Sequence, residues 1–479
     1  MQYTYQFKEL DNSKVAEVGG KNASLGELYR KFQSKGIRIP DGFATSASCY
    51  WNFIKENDLI KSMAEVLSEI NFKDIETLEK AGREIRRMIL EADIPDGIEK
   101  AIRKAYEALK EREKPLGSVA VRSSATAEDL PHASFAGQHD SFMNIKNEKE
   151  LLQTWKKCVA SLFTDRAIKY REEKDFEHMK VALSVGVQKM VRSDKASSGV
   201  AFTLDPDSGF RNVILVNGAW GLGENVVQGT VQTDEFYLYK KALKDRKKAI
   251  LSKKIGSKKK MMVFTDDSDG QEPVKNIETP EEKQKEAVLS DEELIELGKW
   301  CMEIESHYEK PMDIEWAKDG NTDRLYIVQA RPETVHSAKK KKTKLKKFRI
   351  ETDDKEPLIS AIGIGNKIAS GTVRILQSPD EAEKIQEGDV LVTEITNPDW
   401  DPVMKKASAI ITNSGGRTSH AAIVARELGA VAVVGAGNAT EVLDDGQVIT
   451  VSSARGNDGF VYDGELEWEE KELDLDKLG

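Results

Sequence analysis

A single histidine stands where the sequence could accept a phosphoryl group. His420 follows a loop at residues 413–419, which joins an apolar segment at 409–412 to a helical pattern at 421–428. The order strand, loop and helix places His420 in the first helical turn, where unpaired backbone N–H groups and the helix dipole favour a phosphate anion. The same field disfavours a charged imidazolium, so the neutral ring keeps a nucleophilic nitrogen.

The neighbours of His420 suit the same chemistry. The two glycines before Arg417 let a bulky phosphate donor approach the backbone, and Arg417 adds a cation beside the loop. Thr418 or Ser419 occupies the position of the helix N-cap. Taken alone, a histidine at a helix start is also typical of a surface or capping residue, so these residues leave both interpretations open.

Two earlier segments suit the phosphates of a nucleotide. Lys21 follows two glycines, which allow close contact with a phosphate, although such a triplet is also common in simple turns. Arg122 directly follows an apolar segment at 119–121 and precedes a run of small, hydroxyl-bearing residues. These residues could fold over phosphates while the arginine neutralises their charge.

A pair of alternating segments supplies candidate metal ligands. Strand periodicity puts Asp313 and Glu315 on one face of the first segment, and Gln329 and Arg331 on one face of the second. If the turn between them centres near Asn321, those faces coincide. Carboxylate and amide oxygens suit Mg²⁺ bridging phosphates, while Arg331 would bind the phosphate itself. The polar outer face of an ordinary hairpin is the alternative.

The elements that carry these residues form an α+β region before residue 337. Residues 1–110 read mostly as helices, and residues 111–336 contain strand patterns at 119–121, 181–187, 213–216 and 236–239. A helix is predicted from Asp291, with Ser290 and Glu293 as a capping box. We therefore expect one nucleotide-binding region in two parts, 1–110 and 111–336.

A lysine-rich segment separates this region from a second domain. Seven of the nine residues from 339 to 347 are lysine, so residues 337–357 are predicted to be an extended, solvated linker, with an anion or nucleic-acid patch as the alternative. Residues 358–466 contain five short apolar strands and one helix, and predict a compact α/β domain. Residues 467–479 are predicted to run on toward a further domain.

Composition limits the class of protein. The chain has 479 residues, a net charge of -10 and no apolar run near the ~18 residues of a membrane span. The acidic balance argues against nucleic-acid binding, and three scattered cysteines exclude a disulfide framework. With a first segment unlike a signal peptide, these features predict a cytoplasmic protein without a membrane or nucleic-acid partner.

The string from Ser414 to Gly429 closely resembles the phosphohistidine motif of the phosphoenolpyruvate-utilising family. By that resemblance His420 carries the phosphoryl group, and Thr418 matches a residue that regulatory kinases modify in some relatives. Arg417 is more similar to the synthase branch than to the drug-phosphorylating branch. The resemblance thus selects the phosphocarrier interpretation of this helix start.

The nucleotide segments resemble the ATP-grasp-like domain of the same family. The resemblance implies ATP and Mg²⁺ as cofactors, and it implies a role for each matching residue. The implied phosphate ligands are Lys21, Arg122 and Arg331; the implied Mg²⁺ ligands are Glu315, Gln329 and Asp313; the implied adenine contacts are Gln188 and Val191. A strand such as the one with Gln188 and Val191 is also typical of plain core.

The expected fold is a multidomain α+β and α/β protein, with an ATP-grasp-like nucleotide-binding domain followed by a swivelling β/β/α phosphohistidine domain. The expected function is ATP-dependent phosphorylation of His420. This would be the first half-reaction of the synthase branch, whose full reaction converts ATP, pyruvate and water to AMP, phosphoenolpyruvate and phosphate. Pyruvate and phosphoenolpyruvate would bind a barrel domain that is not in this sequence. A homodimer is left open.

Two other functions remain as alternatives. An antibiotic phosphotransferase of the same superfamily would need a drug-binding domain between the two regions, where only the short linker stands. A phosphocarrier subunit would deliver to a separate acceptor chain and would lack ATP binding, which the segments around Lys21, Arg122 and Glu315 oppose.

Overall fold

The computed structural model describes residues 2–72, 74–126, 141–245, 248–265, 273–333, 344–350, 355–417, 419–455 and 458–474. These residues form two compact units. The first comprises Met1–Arg192, Phe264–Val274 and Tyr326–Ala330, and the second comprises Ser193–Val263, Lys275–Leu325 and Arg331–Gly479. Within the described part of the chain, no helix is long and apolar enough to cross a membrane.

The first unit is a five-stranded sheet covered by helices. Its elements are β1 (Thr4–Gln6), α1 (Val15–Phe32), β2 (Gly42–Thr45), α2 (Ala47–Glu56), α3 (Leu59–Ser68), α4 (Ile75–Glu91), α5 (Asp96–Arg112), β3 (Val119–Ala125), β4 (Ser141–Ile145), α6 (Glu148–Ser161), α7 (Asp165–Glu173) and β5 (Leu183–Lys189). The strand order is β1-β2-β5-β3-β4. The mostly helical character of the first 110 residues is confirmed.

Apolar faces of the helices build the core of the first unit. Phe53 of α2, Ile85 of α4 and Trp155 of α6 are buried in one cluster with Val185 of β5. The ring of Phe53 meets that of Trp155 edge-on, with centroids 5.2 Å apart, an arrangement that aromatic pairs favour. This packing fixes the sheet that carries β3 and β5.

A six-stranded sheet forms the first half of the second unit. Along the chain follow β6 (Ser197–Phe202), β7 (Val213–Trp220), α8 (Glu224–Val227), β8 (Asp234–Tyr239), α9 (Lys240–Lys244), β9 (Ile250–Lys254), β10 (Lys260–Phe264), β11 (Val274–Glu278), α10 (Glu281–Lys285), α11 (Asp291–Tyr308), β12 (Met312–Asp319) and β13 (Arg324–Pro332). The order is β13-β12-β6-β7-β8-β9.

Two predictions about this sheet are confirmed. Helix α11 begins at Asp291, and Ser290 and Glu293 form the reciprocal capping box at its start. The turn after β12 is closed by Asp319, whose carboxylate accepts hydrogen bonds from the backbone N–H groups of Asn321 and Thr322 at 2.9 Å each. The predicted hairpin near Asn321 is therefore present.

The second half of this unit combines a closed barrel with a separate two-stranded sheet. Its elements are β14 (Lys344–Ile350), β15 (Ile359–Ile364), β16 (Ile368–Ile375), β17 (Val390–Thr393), α12 (Asp401–Met404), β18 (Ala409–Thr412), α13 (His420–Leu428), β19 (Val431–Val434), α14 (Ala439–Val442), β20 (Val448–Arg455), β21 (Asp458–Asp463) and β22 (Trp468–Asp474). The barrel order is β15-β19-β18-β17-β16-β20-β21.

The barrel contains more strands than the sequence predicted for this domain. All five predicted strands exist, as β16 to β20, but β15 and β21 were missed. Strand β15 pairs with β19 on one side and with β21 on the other, which closes the sheet on itself. Both partners lie far along the chain, so local alternation could not reveal the closure.

The lysine-rich linker prediction is wrong for residues 344–350. These residues form β14, which pairs antiparallel with β22, with Arg349 opposite Glu469 and Ile350 opposite Trp468. Ile350 is buried in a cluster with Tyr462 and Leu466. The prediction considered only the repulsion among the lysines. It missed the apolar residues of this segment, which are stabilised by burial, and it missed the acidic strand that is available as a partner. The remainder of the predicted linker is described only at 355–357.

Candidate phosphocarrier site

His420 is the first residue of α13 and follows Ser419 as N-cap, as predicted. Ser419 has the extended backbone typical of an N-cap, with φ of -65° and ψ of 158°, although its side chain makes no capping hydrogen bond. Thr418 lies outside the described residues. The helix start therefore presents its unpaired N–H groups beside His420.

Two side chains that the sequence analysis missed hold the imidazole of His420. Its Nδ1 lies 3.1 Å from Oγ1 of Thr396, and its Nε2 lies 3.0 Å from Oδ1 of Asp401. The ring is 16% exposed. A proline-containing turn capped by Asn397 positions this segment, and that Asn-Pro pair is the signal that marks the turn in the sequence.

The glycine loop before His420 is fixed by hydrogen bonds inside the barrel. The amide of Asn413 donates to Oε2 of Glu394 at 2.6 Å and to Oγ1 of Thr440 at 2.7 Å. The hydroxyl of Ser414 donates to the same glutamate at 3.1 Å. Gly415 has a φ of 121°, a backbone conformation that residues with a side chain rarely adopt. The loop backbone is thus preset.

Arg417 is not a solvent-exposed cation beside the loop. It is 1% exposed, forms an ion pair with Asp207 and lies 3.6 Å from Oε2 of Glu235. Arg426 of α13 also binds Asp207, with its Nη2 2.7 Å from Oδ1. Burial disfavours charge, but Asp207 and Glu235 outweigh it and raise the pKa of Arg417. Arg417 and Arg426 therefore converge on Asp207, in the turn between β6 and β7, and Arg417 also lies near Glu235 of β8.

Close backbone packing completes this contact within the second unit. Gly229, which follows α8, has a φ of +69°, and a Cβ placed there would lie 2.2 Å from Cβ of Ser419. No side chain fits between these two residues, because real Cβ contacts are never this short. The carrier loop therefore packs directly on the segment after α8.

The candidate metal and phosphate residues of the second unit lie at the end of the hairpin. Nε of Arg331 lies 3.5 Å from Oδ2 of Asp313, which shows that these two predicted residues share a face. Burial raises the pKa of Asp313 to about 6, against the opposing charge of Arg331. Its Oδ1 atom is buried without a hydrogen-bond partner among the described residues. Such an oxygen suits a cation.

Electrostatic interactions link this cluster to His420. Partial removal from water and the charge of Asp401 raise the pKa of Glu427 in α13, while His420 and Arg331 lower it. The charge of Arg426, in the same helix, also lowers the pKa of Asp313. The carrier helix and the predicted phosphate-binding arginine therefore lie within range of each other's charges inside one compact unit.

The first unit brings together two of the predicted nucleotide segments. Helix α1 is broken at Gly19, which has a φ of 73° and a ψ of 165°. A Cβ at Gly19 would lie 2.2 Å from Oγ of Ser124 in β3, so the glycine before Lys21 packs against the strand that carries Arg122. The hydroxyls of Ser123 and Ser124 are buried without hydrogen-bond partners among the described residues. These donors suit phosphate oxygens.

The remaining candidates of this unit lie around the same sheet. Gln188 is in β5, and its amide donates to the carbonyl of Pro40 at 3.5 Å. Val191 follows β5 and is buried. Gln329 is in β13, one residue before Ala330, whose carbonyl accepts a hydrogen bond from Oγ of Ser24 in α1 at 2.9 Å. The loop at 127–140, after Arg122, lies outside the described residues.

Comparison with known families identifies both regions. Residues 15–352 match the model of the pyruvate phosphate dikinase AMP/ATP-binding domain, and residues 385–456 match the model of the PEP-utilising enzyme mobile domain. The chain belongs to this dikinase family. The family-level resemblance seen in the carrier motif is thus confirmed over most of the chain.

Three relatives of this dikinase-family chain are named phosphoenolpyruvate synthase. It is 49% identical to a phosphoenolpyruvate synthase of Aquifex aeolicus over 98% of this chain and 56% of that protein. It is 48% identical to one of Neisseria meningitidis over 99% of this chain and 60% of the relative. It is 46% identical to one of Helicobacter pylori over 100% of this chain and 60% of the relative. The chain spans less than two thirds of the length of these relatives.

Proposed function

We propose that this chain transfers a phosphoryl group from ATP to His420, as the first half-reaction of a phosphoenolpyruvate synthase. The observation that carries the proposal is the placement of His420 as the first residue of α13, within the region that matches the PEP-utilising enzyme mobile domain. Arg331 lies 3.5 Å from Asp313, in the region that matches an AMP/ATP-binding domain. A carrier histidine must reach such a site to be charged.

In this proposal Nε2 of His420 is the acceptor nitrogen. Nδ1 lies against Thr396, which is 4% exposed, whereas Nε2 points toward Asp401, whose side chain is 46% exposed. The positive end of α13 favours the incoming phosphate. Arg417 acts by holding the barrel on the sheet through Asp207, and a regulatory role for Thr418 remains a prediction.

The nucleotide-binding residues are proposed unit by unit. In the first unit, Lys21 and Arg122 bind phosphates beside the buried hydroxyls of Ser123 and Ser124. The adenine contacts and the amide ligand proposed on this unit are Gln188, Val191 and Gln329. In the second unit, Arg331 binds phosphate and Glu315 and Asp313 bind the metal.

The second-unit residues fit Mg²⁺. The described residues include no group of three His, Cys, Asp and Glu side chains ready to hold an ion, and Mg²⁺ is usually bound by one or two carboxylates with phosphates and water. The buried, unpartnered Oδ1 of Asp313 is the atom that a cation would satisfy. Mg²⁺ would neutralise phosphate charge during transfer.

The finer features of the sequence analysis stand as proposals. They are an ATP-grasp-like architecture, the domain limits 1–110, 111–336 and 358–466, a cytoplasmic location and a homodimer. Pyruvate and phosphoenolpyruvate are proposed to react at a barrel domain outside these residues. The alternative, a phosphocarrier subunit that serves a separate acceptor, differs in requiring no ATP binding.

The test is incubation of the chain with Mg²⁺ and ATP labelled at the β phosphorus. We expect acid-labile, base-stable label on the wild-type chain and on His307→Ala, an exposed histidine in α11, and none on His420→Ala. Label that persists in His420→Ala would overturn the acceptor assignment. A chain that binds no ATP, but accepts label from phosphoenolpyruvate through another protein, would favour the phosphocarrier alternative.

A further inference from the structure

The turn between β6 and β7 is held in shape by one carboxylate. Oδ1 of Asp205 accepts hydrogen bonds from the backbone N–H groups of Asp207 at 2.8 Å and of Ser208 at 3.0 Å. The backbone carbonyl of Asp205 accepts from the N–H of Gly209 at 2.8 Å, and its own N–H donates to the carbonyl of Phe210 at 3.0 Å. An aspartate that binds the backbone two and three residues ahead is typical of a stable local turn. These hydrogen bonds need no group of the barrel.

The turn aims the carboxylate of Asp207 at two arginines of the barrel. Oδ2 of Asp207 accepts a hydrogen bond from Nη1 of Arg417, and Oδ1 accepts one from Nε of Arg426 at 2.7 Å. Both arginines are buried. Because each carboxylate oxygen serves a different guanidinium, a rotation or shift of Asp207 would weaken at least one of these charge-assisted hydrogen bonds. The orientation of the turn therefore controls the strength of the contact.

Docking of the barrel on this turn bears on the reaction of His420. The proposed acceptor lies between the two arginines in the chain, as the first residue of α13. The family model that matches residues 385–456 describes a mobile domain. A carrier that moves must come to rest in one position for its histidine to meet a phosphoryl donor. A turn that is ordered before the barrel docks lowers the entropy cost of that contact.

The charge of Asp205 is the smaller part of its effect on the arginines. Burial lowers the pKa of Arg417, and the carboxylates of Asp207 and Glu235 raise it more than the charge of Asp205 does. The two backbone hydrogen bonds of the Asp205 side chain, in contrast, act directly on the residue that binds both arginines. Asp205 therefore contributes chiefly through the shape of the turn.

We propose that Asp205 is a positioning residue for phosphoryl transfer to His420, which acts by holding the turn that presents Asp207 to Arg417 and Arg426. Its effect on the reaction passes through the carboxylate of Asp207. The proposal rests on the proposed function, because it takes His420 as the acceptor. A side chain with the same acceptor atom should replace Asp205, and a side chain without that atom should not.

The first measurement follows the contact without any turnover. NMR of ¹⁵N-arginine-labelled protein, without nucleotide, reports the Nε–H group of Arg426, which donates to Asp207. We expect this proton to exchange with water faster in Asp205→Ala than in the wild type, because the hydrogen bond opens more often. Asp205→Asn should match the wild type, because the amide oxygen of asparagine accepts the same backbone hydrogen bonds.

The second measurement is the initial rate of His420 labelling from Mg²⁺ and β-labelled ATP. We expect Asp205→Ala to be slowed about tenfold, because a misplaced carrier meets its donor less often, and Asp205→Asn to stay within about twofold of the wild type. The control is Ser378→Ala, which removes the hydroxyl that accepts from the N–H of Asp380 at 3.2 Å in an exposed turn of the barrel. This control should label at the wild-type rate. Thermal unfolding shows that each variant is folded.

A double-mutant cycle tests the route through Asp207. If Asp205 acts through the carboxylate of Asp207, adding Asp205→Ala to Asp207→Ala should slow labelling by no more than about twofold beyond Asp207→Ala alone. A further loss of about tenfold in the double variant would show that the two residues act independently. That result would overturn the proposed route.

The other outcomes separate this proposal from the proposed function. Labelling of Asp205→Ala at the wild-type rate, or an unchanged Arg426 signal in that variant, would overturn the role of Asp205 and leave His420 as acceptor. Equal losses in Asp205→Ala and Asp205→Asn would overturn it too, since the charge rather than the shape of the turn would then matter. A wild-type chain that takes up no label would refute the proposed function, and with it the effect on transfer, even if the Arg426 signal changes as expected.

Discussion

The guanidinium of Arg417 is 1% exposed and pairs with the carboxylate of Asp207, which lies 210 positions earlier in the chain. The same carboxylate binds Arg426, and the guanidinium of Arg426 donates to the carbonyl of Arg417 at 2.6 Å. One aspartate, in the turn between β6 and β7, therefore binds both arginines of the segment around His420. This contact defines the docked position of the barrel within the second unit.

Replacing Asp207 by Asn should weaken docking. Removing one partner of a buried charge pair costs about 2–5 kcal/mol, because the other charge stays behind without compensation. Arg417 would keep Glu235, 3.6 Å away, and a hydrogen bond to the carbonyl of Gly363. We expect at least a tenfold lower rate of His420 labelling, falling further as salt screens the remaining pair.

The control for this variant is Glu383→Gln, which removes an exposed carboxylate from the same barrel. Small-angle scattering should show a larger radius of gyration for Asp207→Asn and not for the control. Equal labelling rates and equal radii for Asp207→Asn and wild type would contradict the role of this ion pair.

A methyl group at Gly229 should block the carrier loop without changing any charge. The added Cβ would lie 2.2 Å from Cβ of Ser419, so the loop has to move away. We expect Gly229→Ala to bind ATP normally in calorimetry but to label His420 at least ten times more slowly. The reason is that proximity of donor and acceptor is lost.

Gly388→Ala is the matched control for strain. Gly388 also has a left-handed conformation, with a φ of +90°, but a Cβ there meets nothing within 4 Å. It should therefore show the cost of the backbone conformation alone. If both variants labelled His420 equally slowly, strain rather than a blocked contact would explain the result.

His178 should make the first unit sensitive to acid. Burial and the neighbouring Arg171 lower the pKa of His178 from 6.5 to about 4, and its Nδ1 accepts a hydrogen bond from Nε of Arg171 at 3.1 Å. Between pH 4 and pH 6.5, His178 is mostly protonated in the unfolded chain and mostly neutral in the folded chain. Stability is therefore complete above pH 6.5 and declines as the pH falls toward 4.

The magnitude follows from the shift, at about 1.4 kcal/mol for each pH unit. The free energy of unfolding, measured with denaturant, should fall by about 3 kcal/mol between pH 6.5 and 4 because of His178. His178→Gln should remove this part of the pH dependence of the unfolding free energy. His307→Gln, at an exposed histidine, serves as control and should keep the wild-type slope. An unchanged slope in His178→Gln would show that other groups cause the acid sensitivity.

The pairing of β14 with β22 should depend on Ile350. This side chain is 6% exposed and packs with Tyr462 and Leu466, and truncation of such an isoleucine to alanine costs about 2–5 kcal/mol. We expect faster hydrogen exchange across residues 344–350 in Ile350→Ala. Arg349→Ala, at the exposed neighbour, should exchange as the wild type does. Fast exchange in the wild-type protein itself would indicate a solvated linker instead.

Local patterns in the sequence were sufficient for the elements around His420, and the family resemblance supplied its proposed role as acceptor. The strand and loop before His420 and the helix that it begins follow from glycine, capping and alternation signals, all within about 20 residues. Local signals also predicted the capping box at Ser290 and the turn at Asn321. The charges of the 344–350 segment misled the same reasoning, because the partner strand lies more than a hundred residues later.

Only the tertiary structure decided what surrounds His420. Thr396 and Asp401 contact the imidazole from the segment between β17 and β18, and Asp207 contacts Arg417 from the turn between β6 and β7. Such partners are set by the closure of the barrel and by its packing on the sheet, and no spacing in the sequence encodes them. The sequence by itself therefore determined which nitrogen-bearing residue could carry phosphate. The fold determined which groups surround its ring, because these depend on distances between segments far apart in the chain.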